Sequence, residues 1–232
     1  MKTFNELQEG VYDPNILKAF FLAGGPGSGK SYVVKRTTGG LGMKILNSDD
    51  HFERLLKQAG LDSKMPPEEK QPRDVARDRA KEMTKKQREN YLFGRLGLII
   101  DGTGKNYDKV TTASNSLRAI GYETYMKFVN TSLDVDYQRN EMRKRKVPEE
   151  IVKSNWEGVQ TNIGKYQKYF GPKNFIIVDN NVAYETGSNS EKLFFGKIFA
   201  QISKLIKTPT DNPTASKWIA NELRMKQLMF ED

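Results

Sequence analysis

Short apolar runs recur along the chain, and each one stops at a glycine or at a polar residue. A continuous run of this kind is typical of a strand buried on both faces, as in a parallel sheet. Charged segments with apolar residues at helical spacing predict helices between the runs, one across 75–91 and one across 151–166. The predicted strands are 19–23, 43–46, 96–100, 122–129 and 175–178.

This alternation of strands and helices predicts an α/β fold of three layers, with a parallel central sheet of about five strands. Residues 60–73 carry several charges and two adjacent prolines, and we expect an exposed loop there. A chain of 232 residues fits one main domain, which we place at 1–207. A linker and a C-terminal helical tail follow at 208–232, and the tail is either a docked helix or a partner-binding segment.

Composition excludes several kinds of chemistry. The chain has no cysteine, which excludes disulfides, thiol nucleophiles and thiolate metal sites. His51 is the single histidine, so paired-histidine zinc sites are excluded and histidine-based triads nearly so.

The charge balance is basic, with 38 Lys and Arg against 29 Asp and Glu, a formal net charge of +9. A basic balance favours polyanionic partners such as nucleic acid or nucleotides, or a membrane surface, although it also occurs without a specific partner. No apolar run approaches the roughly 20 residues that span a bilayer, and the first six residues lack a signal-peptide pattern. We therefore expect a cytoplasmic protein that does not bind membranes.

The strongest motif is GGPGSGKS, which satisfies G-x-x-x-x-G-K-[ST] directly after the first predicted strand. Glycines let backbone N–H groups curl around phosphate oxygens, and a helix that begins near the lysine directs its positive end at the same anion. The lysine would contact the β- and γ-phosphates, and the last serine would bind Mg²⁺. The sequence thus predicts a site for ATP and Mg²⁺ formed by Gly24, Gly25, Pro26, Gly27, Ser28, Gly29, Lys30 and Ser31.

A second metal ligand, this one a carboxylate, is expected at Asp101, which follows the predicted strand 96–100. Gly102 follows it, where many ATP-driven motors carry a water-activating glutamate. The guanine-reading sequence N-K-x-D is also absent. These features favour a phosphotransferase over a motor or a GTPase.

Two further carboxylates, Asp49 and Asp50, follow the predicted strand 43–46. The carboxyl ends of parallel strands form the ligand-binding edge of an open α/β sheet. One of the two could accept the proton of an attacking hydroxyl group, or either could simply cap the next helix. The pattern does not decide which of the two would be the base.

Arg139 and Arg143 are four residues apart in a basic segment and would share one face of a helix. Paired guanidinium groups on a lid helix can neutralise the charge of a transferring phosphoryl group. The alternative interpretation is a solvated basic face.

In the order in which they occur, these motifs resemble the phage 5′-polynucleotide kinase domain and the zeta-toxin-like phosphate-loop kinases. The resemblance spans roughly residues 18 to 180. It implies a P-loop NTPase fold with a helical lid at about 132–147. It also implies that Asp49 activates the acceptor hydroxyl and that Arg143 contacts the transferring phosphate. The blocks that carry it are GGPGSGKS, Asn47-Ser48-Asp49-Asp50, Gly97-Leu98-Ile99-Ile100-Asp101 and Arg139-Asn140-Glu141-Met142-Arg143.

One departure affects the acceptor. The kinase family has an arginine just after the paired acids, whereas this chain has Phe52 and Glu53 there, with Arg54 only nearby. The expected function is ATP-dependent transfer of the γ-phosphoryl group to a nucleic acid, at a 5′-hydroxyl or a hydroxymethylated base in DNA. The alternatives are a kinase of a nucleotide sugar or nucleoside, and a nucleotide-gated nucleic-acid-binding module without kinase activity. Basic residues that could line a nucleic-acid groove are Arg54, Arg73, Arg77, Arg79, Lys81, Lys85, Lys86, Arg88 and Lys105.

Overall fold

A five-stranded sheet organises the computed structural model, which describes residues 10–62, 66–143 and 146–228. All neighbouring strands are parallel, and their order across the sheet is β2-β3-β1-β4-β5. The predicted parallel sheet is therefore confirmed. In chain order the strands are β1 (Lys18–Ala23), β2 (Lys44–Leu46), β3 (Leu98–Ile100), β4 (Glu123–Asn130) and β5 (Phe175–Asp179).

Helices cover both faces of the sheet, which confirms the predicted three-layer α/β fold. On one face, side chains of β1, β3 and β4 pack with Leu117, Tyr166 and Phe170, and on the other Phe20 and Tyr125 join a second cluster. The helices are α1 (Lys30–Thr38), α2 (Ser48–Gln58), α3 (Lys70–Phe93), α4 (Tyr107–Ala119), α5 (Leu133–Glu141), α6 (Glu149–Gln160), α7 (Ile163–Phe170), α8 (Asn189–Lys207) and α9 (Pro213–Leu228).

The central strands match the apolar runs because they are buried on both faces. All six residues of β1 and the middle six of β4 are buried. Two of these buried residues are lysines. Lys18 pairs with Glu123 and donates to the Thr208 carbonyl, whereas Lys127 donates to Thr37 Oγ1 at 2.7 Å.

Two expected elements differ from the structure. The loop expected over 60–73 ends earlier, because a 3₁₀ helix (Pro67–Glu69) leads into α3 at Lys70. Pro72 lies in the first turn of α3, where an N–H donor is not required. Residues 63–65 of that expected loop lie outside the described residues.

The helix expected over 151–166 is divided into α6 and α7. The side chain of Asn162, at the break, is buried and donates to the carbonyls of Gly104 and Lys105 at 3.2 and 2.8 Å. These bonds hold the break against the loop that follows β3.

The last helix, α9, packs on the main core. Ala215 is fully buried beside Gly121, and Trp218 and Ile219 contact the cluster that includes β1 and β4. The division into a domain at 1–207 and a tail at 208–232 stays a prediction.

Across the described residues, no helix combines the length and apolar character needed to cross a membrane.

Candidate active site

The predicted phosphate loop connects the end of β1 to α1, which begins at Lys30 as expected. Gly27 and Gly29 have φ values of 98° and 79°, in the left-handed region that favours glycine. A side chain at Gly27 would also collide with the backbone of Asp136 on α5. The first turn of α1 carries no acidic residue, so no carboxylate of that turn would compete with a bound anion for the positive end of the helix dipole.

The side chain of Lys30 bonds to the backbone of this loop. Its Nζ donates to the carbonyls of Gly24 and Gly25 at 2.9 and 3.1 Å. Burial lowers the pKa of Lys30, whereas the carboxylates of Asp101 and Asp136 raise it. A phosphate oxygen could replace these two carbonyls as the acceptor of its N–H bonds.

Asp101 follows β3 directly, at the same sheet edge. Its backbone N–H donates to the Leu46 carbonyl at 3.0 Å, and its Oδ2 accepts from Asn47 Nδ2 at 3.1 Å. Burial raises the pKa of Asp101, and Lys30 lowers it. A carboxylate and the Ser31 hydroxyl are oxygen ligands that suit Mg²⁺, which usually keeps water and phosphate oxygens as its other ligands.

Among the described residues, no group of three acidic or histidine side chains could hold a metal ion by itself. Mg²⁺ in nucleotide sites is typically bound by one or two protein oxygens together with substrate phosphates. The hydroxyl of Ser31 and the carboxylate of Asp101 fit an ion of that kind.

Asp49 and Asp50 lie in the first turn of α2, but neither caps the helix. The cap is Asn47, whose side-chain oxygen accepts from the Asp49 backbone N–H at 2.8 Å. Asp50 Oδ1 accepts from Asn47 Nδ2 at 3.3 Å. Asp49 Oδ1 accepts from Arg77 Nη1 on α3 at 2.7 Å. The helix-cap interpretation of the two aspartates is therefore wrong, and their catalytic role stays a prediction.

Arg77 is a candidate residue that the sequence did not connect with Asp49. Its guanidinium carbon lies 3.7 Å from the ring centroid of buried Phe52, so the group is held between a carboxylate and an aromatic face. Helix α3 packs along α2 and brings this arginine to the sheet edge. The pairing depends on how the two helices pack, for which the charged pattern of α3 carries no signal.

Other basic residues of α3 are engaged elsewhere. Arg73 donates to the Pro66 carbonyl at 3.2 Å, and Lys81 forms an ion pair with Asp78 at 2.9 Å. Two of the seven basic residues of this helix that were expected to line a nucleic-acid groove therefore already have partners within the chain.

The two lid arginines do not share a helix face, and that expectation is wrong. Helix α5 ends at Glu141, so Arg139 is helical and Arg143 lies in the bend that follows. The helix ends because Asn140 bonds the returning chain, donating to the Val147 carbonyl at 2.7 Å and accepting from its N–H at 3.0 Å. Residues 144 and 145 of the expected lid lie outside the described residues.

Despite this difference, both arginines reach the same cavity as the phosphate loop. This phosphate-loop cavity has a volume of about 630 Å³, within the ordinary size range of small-molecule sites. Two predicted loop residues, Gly24 and Ser28, do not line it, and Ser28 is buried with its Oγ donating to the Gly25 carbonyl. The predicted site residues that do line it are Gly25, Pro26, Gly27, Gly29, Lys30, Ser31, Asp49, Asp101, Arg139 and Arg143.

A buried hydrogen-bond donor of Arg139 indicates whether nucleotide phosphates would fit in this cavity. Arg139 Nη1 is buried and has no hydrogen-bond partner among the described residues. It lies 3.8 Å from the point where a Cβ of Gly29 would stand. An unpaired guanidinium nitrogen beside a glycine-lined cradle is suited to an anionic oxygen. The residues present therefore fit the phosphates of ATP.

A family comparison agrees with this geometry. The model of the AAA_33 family, described as an AAA domain, matches residues 20–164, which is 145 of 232 residues. The chain belongs to the AAA_33 family. The part of this AAA_33 domain that the model matches includes the phosphate loop, Asp49, Asp101, Arg139 and Arg143. No curated protein matches the chain.

Solved structures share the fold of this AAA_33 domain at low identity. A protein from Chloroflexus aurantiacus assigned as a kinase is 14% identical, with 87% of this chain and 98% of that one covered and a TM-score of 0.53. A chain of the Pnkp1/Rnl/Hen1 RNA repair complex is 18% identical, with coverages of 76% and 54% and a TM-score of 0.52. A gluconokinase from Sinorhizobium meliloti 1021 is 14% identical, with coverages of 83% and 95% and a TM-score of 0.47. The first two likenesses show a P-loop kinase-like fold.

Proposed function

We propose that this AAA_33 domain transfers the γ-phosphoryl group of ATP to a hydroxyl group. The observation that carries the proposal is that one cavity brings the carboxylate of Asp49 together with Lys30, Arg139 and Arg143. Many ATP-driven motors carry a water-activating glutamate at the position after Asp101, and Gly102 stands there.

Each residue of the site has its own role in the proposed reaction. Asp49 accepts the proton of the acceptor hydroxyl, and Arg77 holds its carboxylate in place through Oδ1. Lys30 contacts the β- and γ-phosphates, and the two arginines stabilise the charge on the transferring group. Mg²⁺ bound through Ser31 and Asp101 would neutralise phosphate charge. We further propose that residues 132–147 act as the lid over the phosphates.

We also propose that the acceptor hydroxyl belongs to a nucleic acid, at a 5′-hydroxyl or a hydroxymethylated base. A second cavity of about 710 Å³ shares Asp101, Gly102 and Thr103 with the phosphate-loop cavity. Its wall carries three lysines beside Tyr107, and we call it the lysine-lined cavity. A phosphate backbone leaving the reaction centre on this side would meet cations and an aromatic ring. The lysines are Lys105, Lys109 and Lys165.

A small acceptor is the second candidate, favoured by a different observation. On the side of α2, Asp50 and Glu53 line the phosphate-loop cavity, and Glu53 is one of the two positions where the polynucleotide kinases have an arginine. Their negative charges repel a phosphate backbone and tolerate a neutral polyhydroxyl compound such as a nucleoside.

The acceptor is tested by transfer of labelled γ-phosphate to a panel of 5′-hydroxyl oligonucleotides, hydroxymethylated DNA, nucleosides and nucleotide sugars. We expect labelled oligonucleotide with the wild type and almost none with Lys30→Ala, which should leave the fold intact. Label found on a nucleoside or nucleotide sugar alone would identify the small-acceptor kinase. ATP-dependent oligonucleotide binding without labelled product would identify a nucleotide-gated binding module and refute the kinase proposal.

The lysine-lined cavity gives a separate test of the nucleic-acid acceptor. Each phosphate neutralised on a single strand contributes about −0.7 to the slope of log affinity against log salt. Combined replacement of Lys105, Lys109 and Lys165 by Gln should flatten that slope and raise KM for the oligonucleotide, with KM for ATP unchanged. Lys173→Gln, at an exposed lysine that does not line the cavity, is the control for loss of a surface charge. An unchanged slope would remove this cavity from the acceptor path.

A further inference from the structure

A buried carboxyl group lies against the phosphate loop and has no role in the scheme above. Asp136, on α5, is fully buried. Its Oδ1 accepts from Thr131 Oγ1 at 2.6 Å, whereas its Oδ2 has no hydrogen-bond partner among the described residues. A side chain at Gly25 would collide with this Oδ2. One carboxyl oxygen without a partner therefore lies beside the loop that would enclose the phosphates of ATP.

Two cationic side chains lie near this carboxyl group in the free protein. Lys30 approaches from α1 and Arg139 lies one turn further along α5, and both attract a negative charge on Asp136. Burial nevertheless raises the pKa of Asp136, since a buried carboxylate loses its hydration. The other groups packed around it, the loop glycines, Thr131 and the nearby Trp156, are uncharged.

ATP would change this balance of charge. Its phosphates bring several negative charges to the loop and engage Lys30 and Arg139, the two cations that, together with the Thr131 hydrogen bond, favour the ionised carboxyl. An ionised Asp136 would then face the phosphates with its attraction to both cations weakened. A protonated Asp136 would not repel them, and its Oδ2 could donate a hydrogen bond to the loop or to a phosphate oxygen.

We propose that Asp136 takes up one proton from solvent when ATP binds, and that in this neutral form it acts as a positioning residue for the phosphate loop. The proposal rests on nucleotide binding at the loop and is independent of the acceptor. The proton ends on Oδ2, and no covalent bond to the nucleotide forms or breaks.

Calorimetry of MgATP binding without acceptor tests this directly. Titrations in two buffers with different ionisation heats, at neutral pH, count the protons taken up, and we expect a value approaching one per ATP for the wild type. The dissociation constant should rise with pH by up to about tenfold per unit, because binding is linked to protonation. Loss of the Lys30 proton at alkaline pH weakens binding in the same direction, so the wild type must be compared with a variant of Asp136 alone.

Asp136→Asn is that variant, because asparagine keeps an acceptor for Thr131 and places an N–H donor at the position of Oδ2. We expect it to bind ATP as tightly as the wild type at mildly acidic pH, without the proton uptake. Asp134→Asn changes an exposed acid on the same helix and should keep the wild-type uptake. Thermal unfolding of the free protein checks that both variants fold.

Three results would overturn the proposal. They are ATP binding by the wild type without proton uptake, unchanged uptake in Asp136→Asn, and weaker binding of ATP by Asp136→Asn at every pH. The last result would mean that the ionised carboxylate is required. A wild type that does not bind ATP at all would refute both this proposal and the proposed function, whereas binding without uptake refutes this proposal alone.

Discussion

Several carboxylates surround Lys30 in its partly buried position. Burial lowers its pKa, whereas Asp101, Asp136 and Asp49 raise it. The sequence predicted two of these neighbours, since Asp49 and Asp101 follow strands whose carboxyl ends meet at one sheet edge. Asp136 could not be predicted, because its approach to Lys30 depends on how α5 packs against the phosphate loop.

Asp49→Asn should lower kcat by about 10²–10⁴-fold, because a general base contributes about that much. Asparagine keeps an acceptor for Arg77, so ATP affinity and thermal stability should stay close to wild type. Steady-state kinetics with saturating ATP measure the effect. Asp50→Asn is the matched control in the same helical turn and should be mild, and the reverse ranking would assign the base to Asp50.

Arg143→Lys should lower kcat more than it lowers ATP affinity. Lysine keeps the charge but loses the planar guanidinium group that matches phosphate oxygens, and the loss is greatest for charge that develops in the transition state. The ratio of the change in kcat to the change in the Kd for ATP is the quantity to measure. Wild-type turnover in Arg143→Lys would leave this exposed side chain as part of a solvated basic face.

Single elements were predicted best where burial is complete. The apolar runs that became β1 and β4 need no tertiary information, because both faces of these strands are covered. Helix ends were predicted less well, since they depend on bonds to other segments. The side chains of Asn140 and Asn162 bond backbone groups in loops that spacing along the chain does not bring near them.

Asn140→Ala should destabilise the protein by about 1–3 kcal/mol, because it leaves the backbone N–H and carbonyl of Val147 without their partner. It should also lower kcat by up to about 100-fold, since Arg143 lies in the chain segment that this side chain closes. Denaturant unfolding and kinetics measure the two effects. Gln138→Ala, an exposed position on the same helix, is the control. Equal stability of the two variants would contradict the role of Asn140 in the lid.

At the scale of the whole molecule, the core includes a titratable amine whose burial the pattern of apolar residues did not reveal. Lys127 is fully buried in the middle of β4 and bonds Thr37 rather than a carboxylate. Burial lowers its pKa to about 7 from 10.5. The run over 122–129 still forms a strand, because a lysine within it does not change its neighbours' preference for burial.

The folded protein should therefore become more stable as pH rises from about 7 towards 10.5, where the unfolded chain holds a proton on Lys127 that the folded chain has released. This group contributes a slope of at most about 1.4 kcal/mol per pH unit. Below pH 7 both states are protonated and its destabilising effect is complete. Lys127→Met should be more stable at neutral pH and show a shallower slope, as measured by denaturant unfolding. A less stable methionine variant would mean that the amine contributes favourably to the core.

The fate of the γ-phosphate of ATP is the measurement that tests the central claim most directly. With labelled ATP, Mg²⁺ and a 5′-hydroxyl oligonucleotide, the account predicts label on the oligonucleotide in excess of free phosphate. It predicts no incorporation into the same oligonucleotide when the 5′ end is already phosphorylated and no base carries a hydroxymethyl group. Label released only as inorganic phosphate, at a rate that no hydroxyl acceptor changes, would show that Asp49 and the arginines do not serve phosphoryl transfer to a hydroxyl.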